Sequence, residues 1–291
     1  MIRFKIVASL TPTSEAGVDK TTADYSDLFR GQVGTLGTYP LLAAAKTGDL
    51  VKLNEDLDKL GKGDFSSELN KEDIVGANIL SAISKRTVAY ASAITPQSII
   101  IKLLTLGANP IQLSGLSKLP LHSAKSPDVI LLLQKVTLTA MKIKYAEIEA
   151  TDDEKHVKDR KKSDLWGVTF GKFCESGDVD FVNSVLALGT NPVFGRQSYT
   201  PFHMTAKGFA NIRAKRHAHP EQSITIMTAL IEAAQKENEG FSTKQLDYYY
   251  THPEGEVDDT ITLGAFTESL LPGIKGVTGE QVSRFMMLLK D

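Results

Sequence analysis

The side chains that could do chemistry in this sequence are few. His203, His217 and His219 could gather round a metal, since imidazole is a common zinc ligand and the last two are separated by a single residue. No cysteine accompanies them, and no HExxH or related ligand spacing occurs, so solvent for His217 and His219 is the simpler expectation. Cys174 is the single cysteine, and it falls in the small-residue slot of an apolar segment, where packing explains it better than nucleophilic reactivity. The acidic pairs Asp152–Asp153 and Asp258–Asp259 sit in polar stretches, which suit surface charge more than general acid work. GQVGTLG is glycine-rich but lacks the Lys-Ser/Thr and the following helix that a phosphate cradle needs, and no GxSxG elbow is present. No catalytic residue can be named, no cofactor or metal is expected, and the chain reads as a non-enzyme.

Two clusters could instead recognise a macromolecule. RAKRHAH places Arg213, Lys215 and Arg216 beside His217 and His219, a local positive patch able to meet nucleic acid, an anionic surface or an acidic protein. DYYY, with Tyr248 to its fore, offers aromatic surface of the kind enriched at interface hot spots, or else covers the end of the fold. The formal charge of −2 gives no global pull toward nucleic acid. With 42% hydrophobic and 23% charged residues over 291 positions, the chain can bury a sizeable core. One cysteine excludes an internal disulfide framework and suits a reducing compartment. The opening MIRFKIVASLTPTSEAG has too short an apolar stretch to be read as a signal peptide, and no run reaches the ~20 residues of a membrane span.

The elements that must position these groups follow from punctuation. YPLLAAAKTGDLVKL opens a short helix at Pro40 and closes it at Gly48, with a second helix directly behind. Proline suits a first turn because its missing N–H would have no intrahelical partner, and glycine tolerates the positive φ of a helix exit. SIIIKLLTLGANP carries an apolar face on Ile100, Ile101, Leu103 and Leu104 and ends at Gly107–Pro110. LPLHSAKSPDVILLLQK opens again at Pro120, and FGKFCESGDVDFVNSVLALGTNP pairs an inner helix ending at Gly177 with an outer one ending at Asn191–Pro192. TPFHMTAKG opens at Pro201, 32 residues after Thr169. GANILSAISKR, from Gly76, is a weaker unit, with Ile79 where proline is expected and Ser81 where histidine is expected.

Taken as a set, these residues resemble the ankyrin repeat, whose TPLHxA opening, glycine-ended inner helix and LLxxGAxP ending they approximate over residues 39–238. The resemblance implies an all-α helical-repeat solenoid, made irregular by insertions, in which His122 and His203 hydrogen-bond at helix starts. It also implies that turn tips and inner helices grip a protein ligand. The matching turns are 111–118 and 193–199. In the second, Phe194, Arg196, Gln197 and Tyr199 have hot-spot chemistry, and in the first Gln112 and Leu116 are the weaker choices. Irregular repeats with long insertions further resemble the ankyrin-bearing effectors that intracellular bacteria deliver into host cells.

The expected partition is a cap or partly ordered segment at 1–38, repeats at 39–150, a charged solvated linker at 151–163, repeats at 164–238 and a helical capping region at 239–291. The function expected is protein-binding scaffolding in a cytoplasm, that of the cell itself or of a host, with no small-molecule substrate. Two alternatives stay open: an enzyme whose active site sits unrecognised in a terminal region or in the 208–223 insertion, and an adaptor binding nucleic acid or an anionic surface through 213–219.

Overall fold

The structure, a computed structural model, describes residues 39–60, 65–73, 76–87, 93–194, 200–210, 219–238, 240–243, 263–271 and 277–289. Among these residues every regular element is a helix and no strand occurs, so the chain is all-α there. It divides into two compact units, Met1–Met141 and Lys142–Asp291.

In the first unit the helices are α1 (Pro40–Thr47), α2 (Leu50–Leu60), the single turn α3 (Ser66–Leu69), α4 (Ile79–Ser84), α5 (Pro96–Thr105), α6 (Pro120–Ser123) and the start of α7 (Pro127–Glu149). They pack in two rows. The short helices α1, α4 and α6 lie successively against one another, α2 lies against α5, and α1–α2 and α4–α5 pack as pairs. The boundaries follow the sequence logic: Pro40 occupies the first turn of α1, and Gly48 leaves it at φ 83°, donating its N–H to the Ala44 carbonyl. Thr95 caps α5 by accepting from the Ser98 N–H at 3.1 Å while Ser98 Oγ accepts from the Thr95 N–H at 3.1 Å. α4 lacks an opening proline, yet Asn78 replaces it as cap, its Oδ1 accepting the Ser81 N–H at 2.8 Å. The core between the rows is aliphatic, with Leu41, Leu42, Leu53, Ile79, Ile83, Ile99, Ile100 and Leu103 fully covered.

The second unit contains the end of α7, then α8 (Lys155–Asp164), α9 (Thr169–Ser176), α10 (Val179–Ala187), α11 (Pro201–Ala210), α12 (Pro220–Glu237), α13 (Leu263–Leu270) and α14 (Gly279–Met287). The same two-row order appears: α9, α11 and α13 follow one another, as do α10, α12 and α14, and α9–α10 and α11–α12 pair. Here the core is aromatic. Phe173 meets Phe181 at 4.5 Å between centroids, Trp166 meets Phe181 edge-on at 5.9 Å, and Phe209 stacks on Phe285 at 4.1 Å. Neighbours within the first of these rows approach closely where α9 meets α11: a Cβ on Gly208 would overlap the Glu175 carbonyl oxygen and lie 3.0 Å from its carbon.

One expectation needs correction. Residues 151–163, read as a solvated linker, are mostly the helix α8, and its Asp159, Lys162 and Ser163 are buried. Charge did not keep the segment in solvent because Lys162 finds the Glu149 carboxylate and lays its ammonium 5.6 Å from the centre of the Tyr145 ring. Within the region expected to cap the C-terminal end lie α13 and α14, and Phe285 of α14 is fully buried. The expected N-terminal cap, the Asp258–Asp259 pair and Tyr248 lie outside the described residues.

Candidate interaction surface

The turn after α5 is built from one asparagine outward. Ala108 returns its N–H to the Leu103 carbonyl at 2.9 Å, which ends the helix. Asn109 then folds back on itself, its Oδ1 accepting the Ile111 N–H at 3.0 Å in an Asx turn that Pro110 occupies. In the second unit Asn191 does the same across Pro192, accepting the Val193 N–H at 3.0 Å. The two Gly-x-Asn-Pro segments thus close identical turns at equivalent places, each after the outer helix of a pair.

Beyond Asn109 the tip of the first turn is braced on its neighbour. Asn70 accepts the Asn109 N–H at 2.7 Å and donates to the Gly107 carbonyl at 3.2 Å. Gln112 spends its amide on the Asn70 carbonyl at 2.8 Å and on Glu72 Oε1 at 3.0 Å. Gly115 donates to the Gly76 carbonyl at 3.1 Å, an approach so close that a Cβ on Gly76 would overlap the Gly115 nitrogen and Cα. The tip itself is a tight turn, with Ser117 N–H on the Ser114 carbonyl at 2.7 Å and Ser114 N–H on the Lys118 carbonyl at 2.9 Å. Ser117 adopts φ 55°, the one positive φ of a non-glycine residue among those described. Leu116, beside it, stands 64% exposed.

The expected contact residues therefore have different fates. Leu116 is displayed, while both Gln112 donors hold neighbouring chain, so this residue braces the tip. Phe194 is half-buried, directly beyond the Asn191 turn. Arg196, Gln197 and Tyr199 of the second tip, and Arg213, Lys215 and Arg216 of the basic insertion, lie outside the described residues, as does His217.

The residues weighed for catalysis sit as follows. His203 is fully buried at the start of α11, with its Nδ1 2.9 Å from Thr200 Oγ1, and burial lowers its pKa to about 4. Cys174 is fully buried and burial pushes its thiol well above the ordinary range, which leaves no thiolate at neutral pH. His219 is exposed just before α12, where its N–H donates to Gln222 Oε1 at 2.9 Å. Asp153 bonds Lys161 at 2.5 Å, which holds its carboxyl below the usual carboxylate range. Among the described residues no three His, Cys, Asp or Glu side chains converge to hold a metal, and no helix is long and apolar enough to cross a membrane.

Sequence reasoning passed over a buried polar knot in the second unit. Trp166 Nε1 donates to Tyr145 Oη at 2.7 Å, and Tyr145 lies 2.7 Å from Thr190 Oγ1 while donating to the Lys162 carbonyl at 3.1 Å. Burial pushes the Tyr145 phenol up to about 12, so it stays protonated as this geometry requires. The only local signal was a lone tryptophan and a tyrosine in apolar register. No family model matches the chain, and no curated protein matches it.

Proposed function

We propose that this chain is a protein-binding scaffold of degenerate ankyrin-type repeats, which grips a partner through its turn tips. Three observations support the repeat reading: the two-row packing of paired helices within each unit, the matching Asn-Pro turns, and the Thr200–His203 bond at the opening of α11. A repeat that cannot bury its own apolar face completes its core on its neighbours, which leaves a row of tips facing solvent. The observation that carries the binding reading is Leu116. A large apolar side chain exposed on a turn fixed by Gly76, Asn70 and Gln112 loses little freedom when a partner covers it. In the second unit the corresponding contact set is Phe194, Arg196, Gln197 and Tyr199.

The site of action proposed with it is a cytoplasm, and the irregular repeats fit an effector delivered by an intracellular bacterium into a host cell. The test is affinity capture from host and bacterial lysates with wild type, Leu116→Asp, and the triple variant Phe194→Ala, Arg196→Ala, Tyr199→Ala. Specific partners should be lost from both variants while melting transitions stay near wild type. Wild-type capture by both variants rejects the tips as the binding surface.

A further inference from the structure

Helix α8 lacks what normally docks a helix. Its buried residues are Asp159, Lys162 and Ser163, Val157 is half-buried, and no apolar side chain of the helix is fully covered. A surface helix ordinarily holds on through an apolar stripe; this one is held by charge. Lys155 Nζ lies 2.9 Å from the Glu237 carboxylate and 3.4 Å from the Glu237 carbonyl oxygen. Lys158 Nζ donates to the Glu149 carbonyl at 2.9 Å and lies 4.0 Å from its carboxylate. Lys162 pairs with the same Glu149 carboxylate and lies 4.0 Å from Asp159. Glu149 and Glu237 are the last residues of α7 and α12, so both outer lysines also sit on helix C-termini, where unpaired carbonyls gather partial negative charge.

Between these groups lies a recess of about 310 Å3, lined by Glu149, Asp159, Glu237, the three lysines and Gly189. The two ends of α8 are secured differently. At its C-terminal end Ser163 Oγ donates to the Asn191 carbonyl at 3.0 Å, and Tyr145 holds the Lys162 carbonyl and Trp166. At its start Lys155 has a side chain 67% exposed, and His156 faces solvent. The exposed Lys155–Glu237 pair is screened by salt and contributes little, whereas Lys158 is largely covered, its side chain 18% exposed.

We propose that the first turn of α8 is an electrostatic strap and an autoinhibitory contact: Lys155 and Lys158 occupy in cis an acidic recess that takes a lysine-rich peptide segment when the strap lifts. Withdrawing the two lysines leaves the carboxylates of Glu149 and Glu237 against Lys162 alone, with two helix C-termini aimed at the same space. A ligand of the opposite sign, with ammonium groups about one helical turn apart, reproduces the contacts the strap makes. A tethered occupant competes at high effective concentration, so the closed strap excludes a peptide in trans. The inference is independent of the turn tips and stands or falls without them.

Two measurements on the full chain test it. Hydrogen exchange of the amides of 157–161, compared with those of 169–176, is followed at about 20 mM and about 500 mM NaCl. The first set should speed up by about tenfold or more with salt while the second does not change; equal protection and equal salt response in both sets overturns the strap. Fluorescence anisotropy then uses a labelled KHVKDRKK peptide at low salt. The Lys155→Gln/Lys158→Gln double variant should bind it about tenfold tighter than wild type, and adding Glu149→Gln/Glu237→Gln should abolish the gain. Indistinguishable binding by wild type and the lysine variant overturns the recess as a peptide site, and the salt experiment needs no variant at all.

Discussion

Gly76→Ala asks whether the tip that displays Leu116 is truly braced. The glycine sits at φ 73°, a conformation that strains an L side chain by about 1–2 kcal/mol. The new methyl also overlaps the Gly115 nitrogen and Cα, which are backbone atoms and cannot rotate aside, so the 111–118 turn must swing away. That movement breaks the 3.1 Å bond from Gly115 N–H to the Gly76 carbonyl, a further loss of about 1 kcal/mol. Because a surface turn can yield, severe overpacking is avoided and the sum is about 2–3 kcal/mol. Urea unfolding followed by the far-ultraviolet helix signal measures that sum, and hydrogen exchange over 111–118 reports the lost brace directly. Partner capture through Leu116 should weaken in parallel, since the side chain is no longer held in place. Unchanged exchange at Gly115 together with wild-type stability would refute the reasoning, because it would mean that the two turns do not touch in solution.

Two further perturbations address the second unit, where the single tryptophan, Trp166, is buried and reports unfolding by fluorescence. Gly208→Ala would gain up to about 1 kcal/mol of helix propensity at an open site, but here it meets the Glu175 backbone, so a net loss of about 1–2 kcal/mol is expected. A stabilised variant contradicts the close approach of α9 and α11. His203 is neutral in the folded state with a pKa of about 4, against about 6.5 when unfolded. Between those values the unfolded chain binds the extra proton, so stability falls as pH drops from about 6.5 to 4, by about 3 kcal/mol in all. Denaturation midpoints across that range should slope less steeply in His203→Gln; identical slopes would locate the acid sensitivity elsewhere.

What the sequence revealed was punctuation. Pro40, Pro120 and Pro201 open helices where expected, and Gly48 and Gly177 leave them in the left-handed region, because such residues act through their own backbone and need no distant partner. Asn109 and Asn191 were legible as turn-formers for the same reason. The bracing of the tip was not. Asn70 and Gln112 read as ordinary polar residues, and only the fold brings each to backbone groups some forty positions away. α8 was missed as an element because KHVKDRKK carries no apolar period, and its docking rests on carboxylates contributed by α7 and α12. Of the residues expected at the turn tips, Leu116 is exposed and Phe194 half-buried, whereas the bracing by Gln112 depends on a neighbour that no local pattern names.

The two Asn-Pro joints have a bearing on chemical ageing. Asparagine ordinarily degrades when the next residue's backbone nitrogen attacks the side-chain amide and closes a five-membered imide. Proline has no hydrogen on that nitrogen. Asn109 and Asn191, whose Oδ1 atoms each hold a turn closed, are therefore shielded from the commonest spontaneous damage of their residue type, and old molecules should keep these two side-chain amides after exposed asparagines elsewhere have deamidated.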